Sequence, residues 1–258
     1  MTGLVASGAW ICHTGKVRKV NEDACLFGGT FSGASTSAPM KAAIDGDRWI
    51  VALADGIGGH RAGAYASREV VVSLEAHPEY TPASVKRILR ATHKQFQHIG
   101  HERPELEGTG STVVGLFAGK EGLFAFNVGD ARLYRQHAGR LKLITQDDSV
   151  EQLLVSEGLL KAHDGVRSSY MHALTQSIGG STDGHPVDPH FYPLTVARHA
   201  RFILCTDGLT DMLSASAMEA VAVPQLKAAA AVQTLFSAAM EAGGRDNITI
   251  AVVDVEKV

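Results

Sequence analysis

The pattern of apolar and polar positions divides the chain into short apolar runs and longer amphipathic segments. The runs are rich in β-branched or aromatic residues and are bounded by glycine, aspartate or asparagine, which is typical of β-strands. They are Trp49–Ala54, Thr112–Ala118, Leu123–Val128, Arg132–Gln136, Arg140–Ile144, Arg201–Thr206 and Ile248–Val255. Two pairs of neighbouring runs are separated by only three or four residues. This spacing predicts antiparallel hairpins, because a parallel crossover needs a dozen or more residues.

Segments with helical periodicity lie between these runs. Pro82–Ile99 places its apolar residues on one face and opens with proline, and Ala62–His77 and Pro224–Ala242 are rich in helix formers. Gly28–Ala43 is rich in small and polar residues and predicts a mobile surface loop. Hairpins with helices on either side predict a single α+β domain built in layers over residues 1–258.

Composition and charge limit the classes of protein that fit. The 258 residues include 24 Lys and Arg against 27 Asp and Glu, so the net charge of −3 offers no basic field for nucleic acid. No apolar run approaches the ~18 residues of a membrane-spanning helix, and the amino terminus lacks a secretory pattern. The 3 cysteines include no C-x-x-C pair, which argues against a disulfide framework or a cysteine zinc site. We therefore expect a cytoplasmic protein without nucleic-acid or membrane partners.

Acidic residues stand where several predicted strands begin or end. They are Glu22, Asp23, Asp55, Asp130, Asp207 and Asp246. Taken singly, each is explained as a turn former, since Asp-Gly after a strand is a common turn signal. If the strands pack side by side, however, their ends bring several carboxylates to one rim. Mutual repulsion there favours a hard divalent cation, Mg²⁺ or Mn²⁺.

An ordered set of motifs gives this hypothesis a specific form. The motifs are R-K-V-N-E-D (Arg18–Asp23), A-D-G-I-G-G-H (Ala54–His60), G-T-G-S-T (Gly108–Thr112), V-G-D-A-R (Val128–Arg132), L-T-Q-S-I-G (Leu174–Gly179), C-T-D-G-L (Cys205–Leu209) and G-R-D-N-I-T (Gly244–Thr249). In this order they resemble the metal-dependent protein phosphatases of type 2C, over about residues 10–254. The G-G-H sequence resembles the bacterial branch of that family.

The resemblance implies a four-layer αββα sandwich, in which helices flank two antiparallel sheets and a two-metal site lies at one edge. Asp55 would bridge the two ions, and the Gly56 carbonyl would bind one of them. Asp207 and Asp246 would complete the coordination of the first ion. The ions, Mn²⁺ or Mg²⁺, would activate a water for attack on phosphorus, so that no covalent phosphoenzyme is needed.

The resemblance also assigns the remaining site residues. Glu22 and Asp23 would hold the second ion, partly through water, and Asp130 together with Asp207 would support a weaker third ion. Arg18 would grip the substrate phosphate, since a guanidinium binds two phosphate oxygens at once.

Other residues of the motifs have predicted structural roles. We expect Arg132 to pair with a nearby carboxylate or carbonyl and Asn247 to form a turn. Thr109, Ser111 and Thr112 would pack and form local hydrogen bonds beneath the site, and Cys205 would pack in an apolar strand.

The sequence departs from the family pattern at three positions. Ile57 replaces a histidine that eukaryotic members use as a proposed general acid, Ala131 replaces a serine, and Asp148 replaces a histidine. Residues 147–175 correspond to the mobile flap of the bacterial branch. Within the flap, Arg167 is a candidate contact for the phosphoprotein, and a solvated loop without a binding role is the alternative.

These observations predict a monomeric phosphatase that acts on phosphoserine and phosphothreonine proteins and opposes a cognate Ser/Thr kinase. Two alternatives remain open at this point. One is a catalytically silent pseudophosphatase that binds phosphoproteins or serves as a scaffold, although the metal carboxylates are retained. The other is a metal-dependent hydrolase of a small phosphate ester.

Overall fold

The fold is described from a computed structural model of residues 3–44, 46–58, 61–160, 173–180 and 185–258. Its strands are β1 (Leu4–His13), β2 (Asp23–Phe27), β3 (Thr30–Ser32), β4 (Met40–Ile44), β5 (Trp49–Ile57), β6 (Gly110–Ser111), β7 (Val113–Gly119), β8 (Gly122–Val128), β9 (Arg132–His137), β10 (Arg140–Leu143), β11 (Ile178–Gly179), β12 (His190–Leu194), β13 (His199–Cys205) and β14 (Ile248–Lys257). Its helices are α1 (Arg61–Glu75), α2 (Pro82–Glu102), α3 (Val150–Ser156), α4 (Asp207–Thr210), α5 (Ala215–Val221) and α6 (Ala228–Glu241).

The first sheet has the strand order β10-β9-β13-β14-β1-β4, and its strands pair antiparallel. β1 pairs with β14 along its whole length, so that His13 lies opposite Ile248. On the other side of β14, Cys205 at the end of β13 lies opposite Ile250. The end of β13 and the start of β14 therefore lie next to each other at one edge of the molecule.

The second sheet has the strand order β11-β6-β5-β7-β8-β12, with β2 paired to β5 and β3 paired to β2. The β2–β5 pair is antiparallel and places Asp23 opposite Asp55. β6 also pairs with the end of β5, where Gly56 lies opposite Ser111. The start of β2 and the end of β5 thus share one edge.

Apolar side chains fill the space between the two sheets and the space beneath the helices. The core between the sheets includes Trp10, Trp49, Phe202, Leu204 and Val253. α1 and α2 cover the outer face of the second sheet through Val70, Leu74, Leu89, Phe117 and Phe126. α4, α5 and α6 cover the first sheet through Leu209, Met218, Leu235 and Ile250. The layers follow the order αββα, which confirms the predicted fold class.

The predicted strands are present, with ends that shift by one to three residues. The two predicted hairpins are β7–β8 and β9–β10. The helix predicted at Pro224–Ala242 begins later, at Ala228, with Lys227 as its N-cap. Pro224 lies in the preceding turn and its carbonyl accepts a hydrogen bond from Arg201.

The prediction of a loop over Gly28–Ala43 is wrong in part. Gly28 and Gly29 form a turn in the left-handed region, with φ of 51° and 84°, and β3 returns along β2. β4 then pairs with β1. Backbone hydrogen bonds to a neighbouring strand hold these segments in place, and such bonds do not depend on apolar side chains.

Within the described residues, no helix has both the length and the apolar character needed to cross a bilayer.

Candidate metal centre

The acids singled out from the sequence lie where the paired strands of the two sheets begin or end. Asp23 opens β2 and Asp55 lies near the end of β5. Asp207 opens α4 two residues after the end of β13, and Asp246 lies two residues before the start of β14. Because β2 pairs with β5 and β13 pairs with β14, these ends meet at one edge of the sandwich. This is the rim that the strand pattern predicts.

Asp23 joins the two sheets. Its side chain is buried, with 1% exposure, although it belongs to the second sheet. Its Oδ2 accepts hydrogen bonds from Thr206 Oγ1, just after β13, at 2.9 Å and from Thr249 Oγ1, in β14, at 2.6 Å. Thr206 Oγ1 in turn accepts the Thr249 N–H at 3.1 Å. The two threonine hydroxyls thus hold the carboxylate of Asp23, the residue that lies opposite Asp55.

The glycines that follow two of the acids are required by close packing. Neither Gly56 nor Gly208 has φ in the left-handed region. A Cβ on Gly56 would lie 2.0 Å from the Gly63 carbonyl oxygen, and one on Gly208 would lie 1.8 Å from the Asn247 carbonyl oxygen. The turn explanation of Asp-Gly therefore does not apply at these positions.

Hydrogen bonds from below hold the end of β5. Ser111 Oγ donates to the Asp55 carbonyl oxygen at 2.9 Å, and the Thr112 N–H donates to the same oxygen at 2.8 Å. The Asp55 N–H donates to Thr112 Oγ1 at 3.3 Å. The predicted structural roles of Ser111 and Thr112 are confirmed. Thr109 is buried as predicted, but its Oγ1 makes no hydrogen bond within the described residues.

Asn247 organises the segment that contains Asp246. Its backbone N–H donates to Asp246 Oδ1 at 2.8 Å, and its Oδ1 accepts the Glu22 N–H at 2.7 Å. Its Nδ2 donates to the carbonyls of Thr14 and Val20. This one side chain ties residues 14–22 to the start of β14, which confirms its predicted turn role.

Arg18 lies at the mouth of the rim. Its Nη2 donates to Asp246 Oδ2 at 2.6 Å, and its side chain is 51% exposed. The hydrogen bond and the charge of Asp246 raise the Arg18 pKa, so the group is cationic. A guanidinium in this position can reach solvent-borne anions while it remains oriented by an acid of the site.

The carboxylates strongly perturb one another. Burial, with the nearby charges of Asp207 and Asp246, raises the pKa of Asp23 to about 7. Burial, with the charges of Asp130, Asp211 and Asp246, raises the pKa of Asp207 to about 7.

The same causes act on the other acids of the rim. Burial and then the charge of Asp23 raise the pKa of Asp55 well above its ordinary value. Burial, reinforced by Asp147, raises the pKa of Asp130 to about 6. Repulsion of this kind is the electrostatic signature of a cation site.

The donor set fits hard divalent cations. Asp23 Oδ1 and Asp207 Oδ1 are buried and make no hydrogen bond within the described residues. An unsatisfied buried carboxylate oxygen costs free energy unless a cation or proton compensates it. Oxygen donors alone, without a thiolate or imidazole, are the set that Mg²⁺ and Mn²⁺ prefer.

The acids also pair within the site. Asp207 acts electrostatically on Asp55, and Arg18 holds Asp246. Across the part of the chain that the structure describes, no three acidic, histidine or cysteine side chains have the arrangement of a finished cation cage.

Asp130 lies in the turn between β8 and β9, beside a partly buried ion pair. Arg132 Nη2 lies 2.6 Å from Asp147 Oδ2, and Arg132 Nε donates to both oxygens of Asp147 at 3.1 Å. The predicted role of Arg132 as a partner of a carboxylate is therefore confirmed. Asp211, the C-cap residue of α4, acts electrostatically on both Asp207 and Asp130.

Asp148 connects the Asp130 turn to neighbouring segments. Its Oδ2 accepts the Gly129 N–H at 2.8 Å and Gln176 Nε2 at 3.0 Å. Its Oδ1 accepts His190 Nε2 at 2.8 Å. A carboxylate can accept all three donors, which accounts for an acid at this position in place of the family's histidine.

A sequence profile of the family described as protein phosphatase 2C matches residues 40–242. This chain belongs to the protein phosphatase 2C family. The serine/threonine protein phosphatase PstP of Mycobacterium tuberculosis is 36% identical to it over 217 residues, covering 80% of this chain and 40% of PstP. The chain thus spans about 40% of the length of that relative. The serine/threonine phosphatase stp of Listeria welshimeri is 28% identical over 251 residues, covering 93% of this chain and 92% of stp.

Solved structures of the protein phosphatase 2C type share the fold. The crystal structure of M. tuberculosis PstP/Ppp superimposes with a TM-score of 0.79 at 28% identity, covering 98% of this chain and 99% of that one. The PstP catalytic domain in complex with 2 manganese ions gives a TM-score of 0.73 at 29% identity, covering 98% and 99%. The predicted family and its bacterial relatives are confirmed.

The structure also adds residues to this protein phosphatase 2C site that motif reasoning did not assign. Thr206 and Thr249 hold Asp23, and Asp211 adds a charge beside Asp207. The signals were present, because both threonines lie inside the motifs and Asp211 follows Asp207 by one helical turn. Arg167, the candidate substrate contact, lies outside the described residues.

The three cysteines are not suited to act as nucleophiles. Cys12, Cys25 and Cys205 are free and buried. Burial raises the pKa of Cys205 to about 12, so its thiol stays protonated and is a poor nucleophile. The predicted packing role of Cys205 is confirmed.

Proposed function

We propose that this chain is a metal-dependent protein phosphatase that hydrolyses phosphoserine and phosphothreonine. The observation that carries the proposal is the meeting of acids from both sheets at one edge, with Asp23 opposite Asp55 and unsatisfied carboxylate oxygens on Asp23 and Asp207. The family and its named relatives support the reaction class and favour it over a silent pseudophosphatase.

The chain's acids are suited to hold two ions, Mn²⁺ or Mg²⁺. Asp55 would be shared by both, with Asp207 and Asp246 on the first and Glu22 and Asp23 on the second. Bound divalent ions lower the pKa of water and offset the charge of a phosphate dianion, which is the chemistry that this hydrolysis requires. The Gly56 carbonyl would serve as a neutral ligand, and Asp130 with Asp207 would support a weaker third ion.

The chain itself positions these groups and binds the phosphate. Thr206, Thr249 and Ser111 hold the acids through hydrogen bonds that do not depend on an ion. Arg18 would exchange its contact with Asp246 for two phosphate oxygens of the substrate. Ile57 carries no proton donor, so the leaving alkoxide must be protonated by another group.

Hydrolysis assays with purified protein test this proposal. The substrates are p-nitrophenyl phosphate and a phosphothreonine peptide, each with Mn²⁺, Mg²⁺ or EDTA, and Asp207→Asn is compared with the wild type. We expect turnover of both substrates that EDTA and Asp207→Asn abolish. Glu121→Gln, the same chemical change in an exposed turn far from the rim, should retain full activity.

Other outcomes would redirect the assignment. Folded protein without turnover under any metal condition would contradict the proposal in favour of the silent phosphoprotein-binding alternative. Turnover of one small phosphate ester with none of the peptide would favour a metabolite hydrolase.

The cellular setting follows from the proposed activity. We propose phosphorylated proteins as substrates, a Ser/Thr kinase as the opposing enzyme, a cytoplasmic location and a monomeric state.

We also propose that residues 147–175 form the flap beside the site, with Arg167 as a contact for substrate. Arg167→Ala should then impair hydrolysis of a phosphopeptide more than hydrolysis of p-nitrophenyl phosphate.

A further inference from the structure

A basic groove runs along α2 on the face that is turned away from the sheet. It encloses about 640 Å³ between the helix and residues 185–187. Its floor is apolar and its helical rim is cationic, and the lining side chains used below are Ala83, Lys86, Arg87, Arg90, Ala91, Lys94, Pro186 and Val187. None of these side chains contributes to the candidate metal centre.

The cationic rim is unusual for this protein and for a helix. The chain has a net charge of −3, yet four cations occupy positions 86, 87, 90 and 94 of one helix face. Like charges spaced by three or four residues destabilise a helix by about 0.2–0.5 kcal/mol per pair. Clustering of this kind is unfavourable for α2 unless acids of this chain or of a partner neutralise the charges.

Two of the four cations are held in place by an acid. Asp188 Oδ1 lies 2.6 Å from Lys86 Nζ and 3.1 Å from Arg90 Nη2. Arg90 Nε also donates to the Val187 carbonyl at 2.9 Å. Among the described residues, Arg87 and Lys94 form no ion pair, and both are exposed. Their charges are available to a partner.

The groove is a rigid feature. Buried His93 accepts the Gly179 N–H on Nδ1 at 2.9 Å, and its Nε2 lies 3.0 Å from the His185 carbonyl oxygen. Together with the Arg90 and Lys86 contacts, these bonds hold residues 185–188 against α2. A surface that is already ordered loses little conformational entropy when a ligand binds.

Hydrogen bonds connect the groove wall to the candidate metal centre. The Asp188 N–H donates to Gln176 Oε1 at 2.6 Å, and Gln176 Nε2 donates to Asp148 Oδ2 at 3.0 Å. Asp148 also accepts the N–H of Gly129, which precedes Asp130. Only two side chains, Gln176 and Asp148, therefore separate Asp188 at the groove wall from the turn that contains Asp130.

We propose that this groove docks an acidic segment of the phosphoprotein substrate, one in which glutamate or aspartate alternates with apolar residues. The acids would pair with Arg87 and Lys94, and the apolar residues would lie over Ala91 and Pro186. The inference rests on the proposed phosphatase function and specifies its substrate class.

The first test measures binding apart from catalysis. A fluorescent, unphosphorylated peptide of alternating glutamate and leucine is titrated with the wild type and with the double variant Arg87→Glu, Lys94→Glu. We expect the double variant to bind at least about tenfold more weakly, because two exposed ion pairs become repulsions. Wild-type binding should weaken as salt rises, since exposed charges are screened.

Matched variants separate the groove from general charge. The double variant Lys120→Glu, Lys142→Glu makes the same change of net charge on exposed residues outside the groove and should bind as the wild type does. Ala91→Trp, which fills the apolar floor without a change of charge, should also weaken binding. Equal affinity of the wild type and the groove variants would overturn the proposal, as would a peptide of alternating glutamine and leucine that binds equally well.

The second test links docking to turnover. A phosphothreonine peptide extended by the acidic tail should have a lower KM than the same peptide with a neutral tail, and the groove variants should remove the difference. Hydrolysis of p-nitrophenyl phosphate by these variants should equal that of the wild type. Active enzyme without tail preference would refute the docking site alone, whereas absence of all hydrolysis would refute the proposed phosphatase function.

Discussion

At the scale of single residues, the rim combines groups that an ion would satisfy with groups that the chain satisfies by itself. Asp23 accepts two threonine hydroxyls on one oxygen and leaves the other oxygen without a hydrogen bond in the described structure. Arg18 is paired with Asp246 and is still half exposed. The residues assigned to metals are thus preorganised, while the residue assigned to phosphate is able to move.

A substitution of Arg18 tests its assignment to the phosphate. Arg18→Ala should raise KM for p-nitrophenyl phosphate by about 10- to 100-fold, because a hydrogen bond to a charged group contributes about 1.5–3 kcal/mol. Arg18→Lys should recover only part of the loss, since an ammonium cannot bind two phosphate oxygens in parallel. Steady-state kinetics of the three proteins at saturating Mn²⁺ measure this effect. An unchanged KM in Arg18→Ala would contradict the assignment.

Asp148 offers a second test at this scale, as a positioning residue for the Asp130 turn. Asp148→Asn replaces one of the two acceptor oxygens by an NH2 group, which is a donor. This donor would lie opposite the N–H group of Gly129, Gln176 or His190, and two donors cannot form a hydrogen bond with each other. We expect the metal concentration for half-maximal activity to rise by about tenfold, as for other residues that orient ligands. Metal titrations of the wild type and the variant measure this.

His190→Gln is the matched control for Asp148→Asn. It retains a donor toward Asp148 and should alter the metal titration much less. A wild-type titration curve for Asp148→Asn would show that the turn is held without this carboxylate.

At the scale of the elements, α2 shows how local sequence sets a boundary that packing then uses. Thr81 Oγ1 accepts the Ser84 N–H at 3.1 Å, and Ser84 Oγ accepts the Thr81 N–H at 2.9 Å. Pro82 follows at the first helical position. This capping box begins the helix at a fixed residue and thereby places Val85 and Leu89 against the second sheet.

The cap gives a stability prediction for α2. Thr81→Ala should lower the free energy of unfolding by about 1 kcal/mol, because the Ser84 N–H loses its acceptor. Thr81→Ser keeps the hydroxyl and should recover most of that loss. Urea unfolding followed by circular dichroism measures both variants. Equal midpoints for the wild type and Thr81→Ala would show that the cap contributes nothing.

At the scale of the whole molecule, the stability of the sandwich is linked to protons and metal through the rim. Asp23 and Asp207 have pKa values of about 7, and Asp130 of about 6, each raised first by burial. In the unfolded chain these groups titrate near about 4. Between these values the folded protein binds more protons than the unfolded one, so its stability falls as pH rises.

Thermal unfolding in EDTA tests this linkage. From pH 5 to pH 8 we expect the free energy of unfolding to fall by on the order of 1 kcal/mol per pH unit, with a shallower decline once the pH has passed the pKa values of about 7. Saturating Mn²⁺ should reverse the slope, because ions bind the deprotonated acids and stabilise the fold by about 2.7 kcal/mol at a hundredfold excess over Kd.

Asp207→Asn is the control for the linkage. It removes one titrating carboxyl and its repulsion, so the fall of stability in EDTA should become shallower and the effect of Mn²⁺ smaller. If the free energy of unfolding in EDTA falls equally steeply with pH in the variant and the wild type, then other groups in the protein cause the fall.

Prediction from sequence succeeded where one segment carries its own signal. The strands around Trp49 and Ile248 are strongly apolar, and the helix at Pro82 has both a cap and a periodic apolar face. β1 and β4 were missed because small and polar residues such as Ser7, Gly8 and Lys41 form strands only through the neighbours that pair with them.

The layered fold class, the acids of the rim and the family can be predicted from the chain alone, because apolar periodicity and ordered motifs are one-dimensional patterns. The pairing of Asp23 with Asp55, the hydrogen bonds from Thr206 and Thr249 to Asp23, and the close packing at Gly56 and Gly208 arise only in the folded molecule. The ion pairs of Lys86 and Arg90 with Asp188, beside the groove, also form only in the folded molecule. Such contacts join residues far apart in the chain, and no local pattern encodes the distance between them.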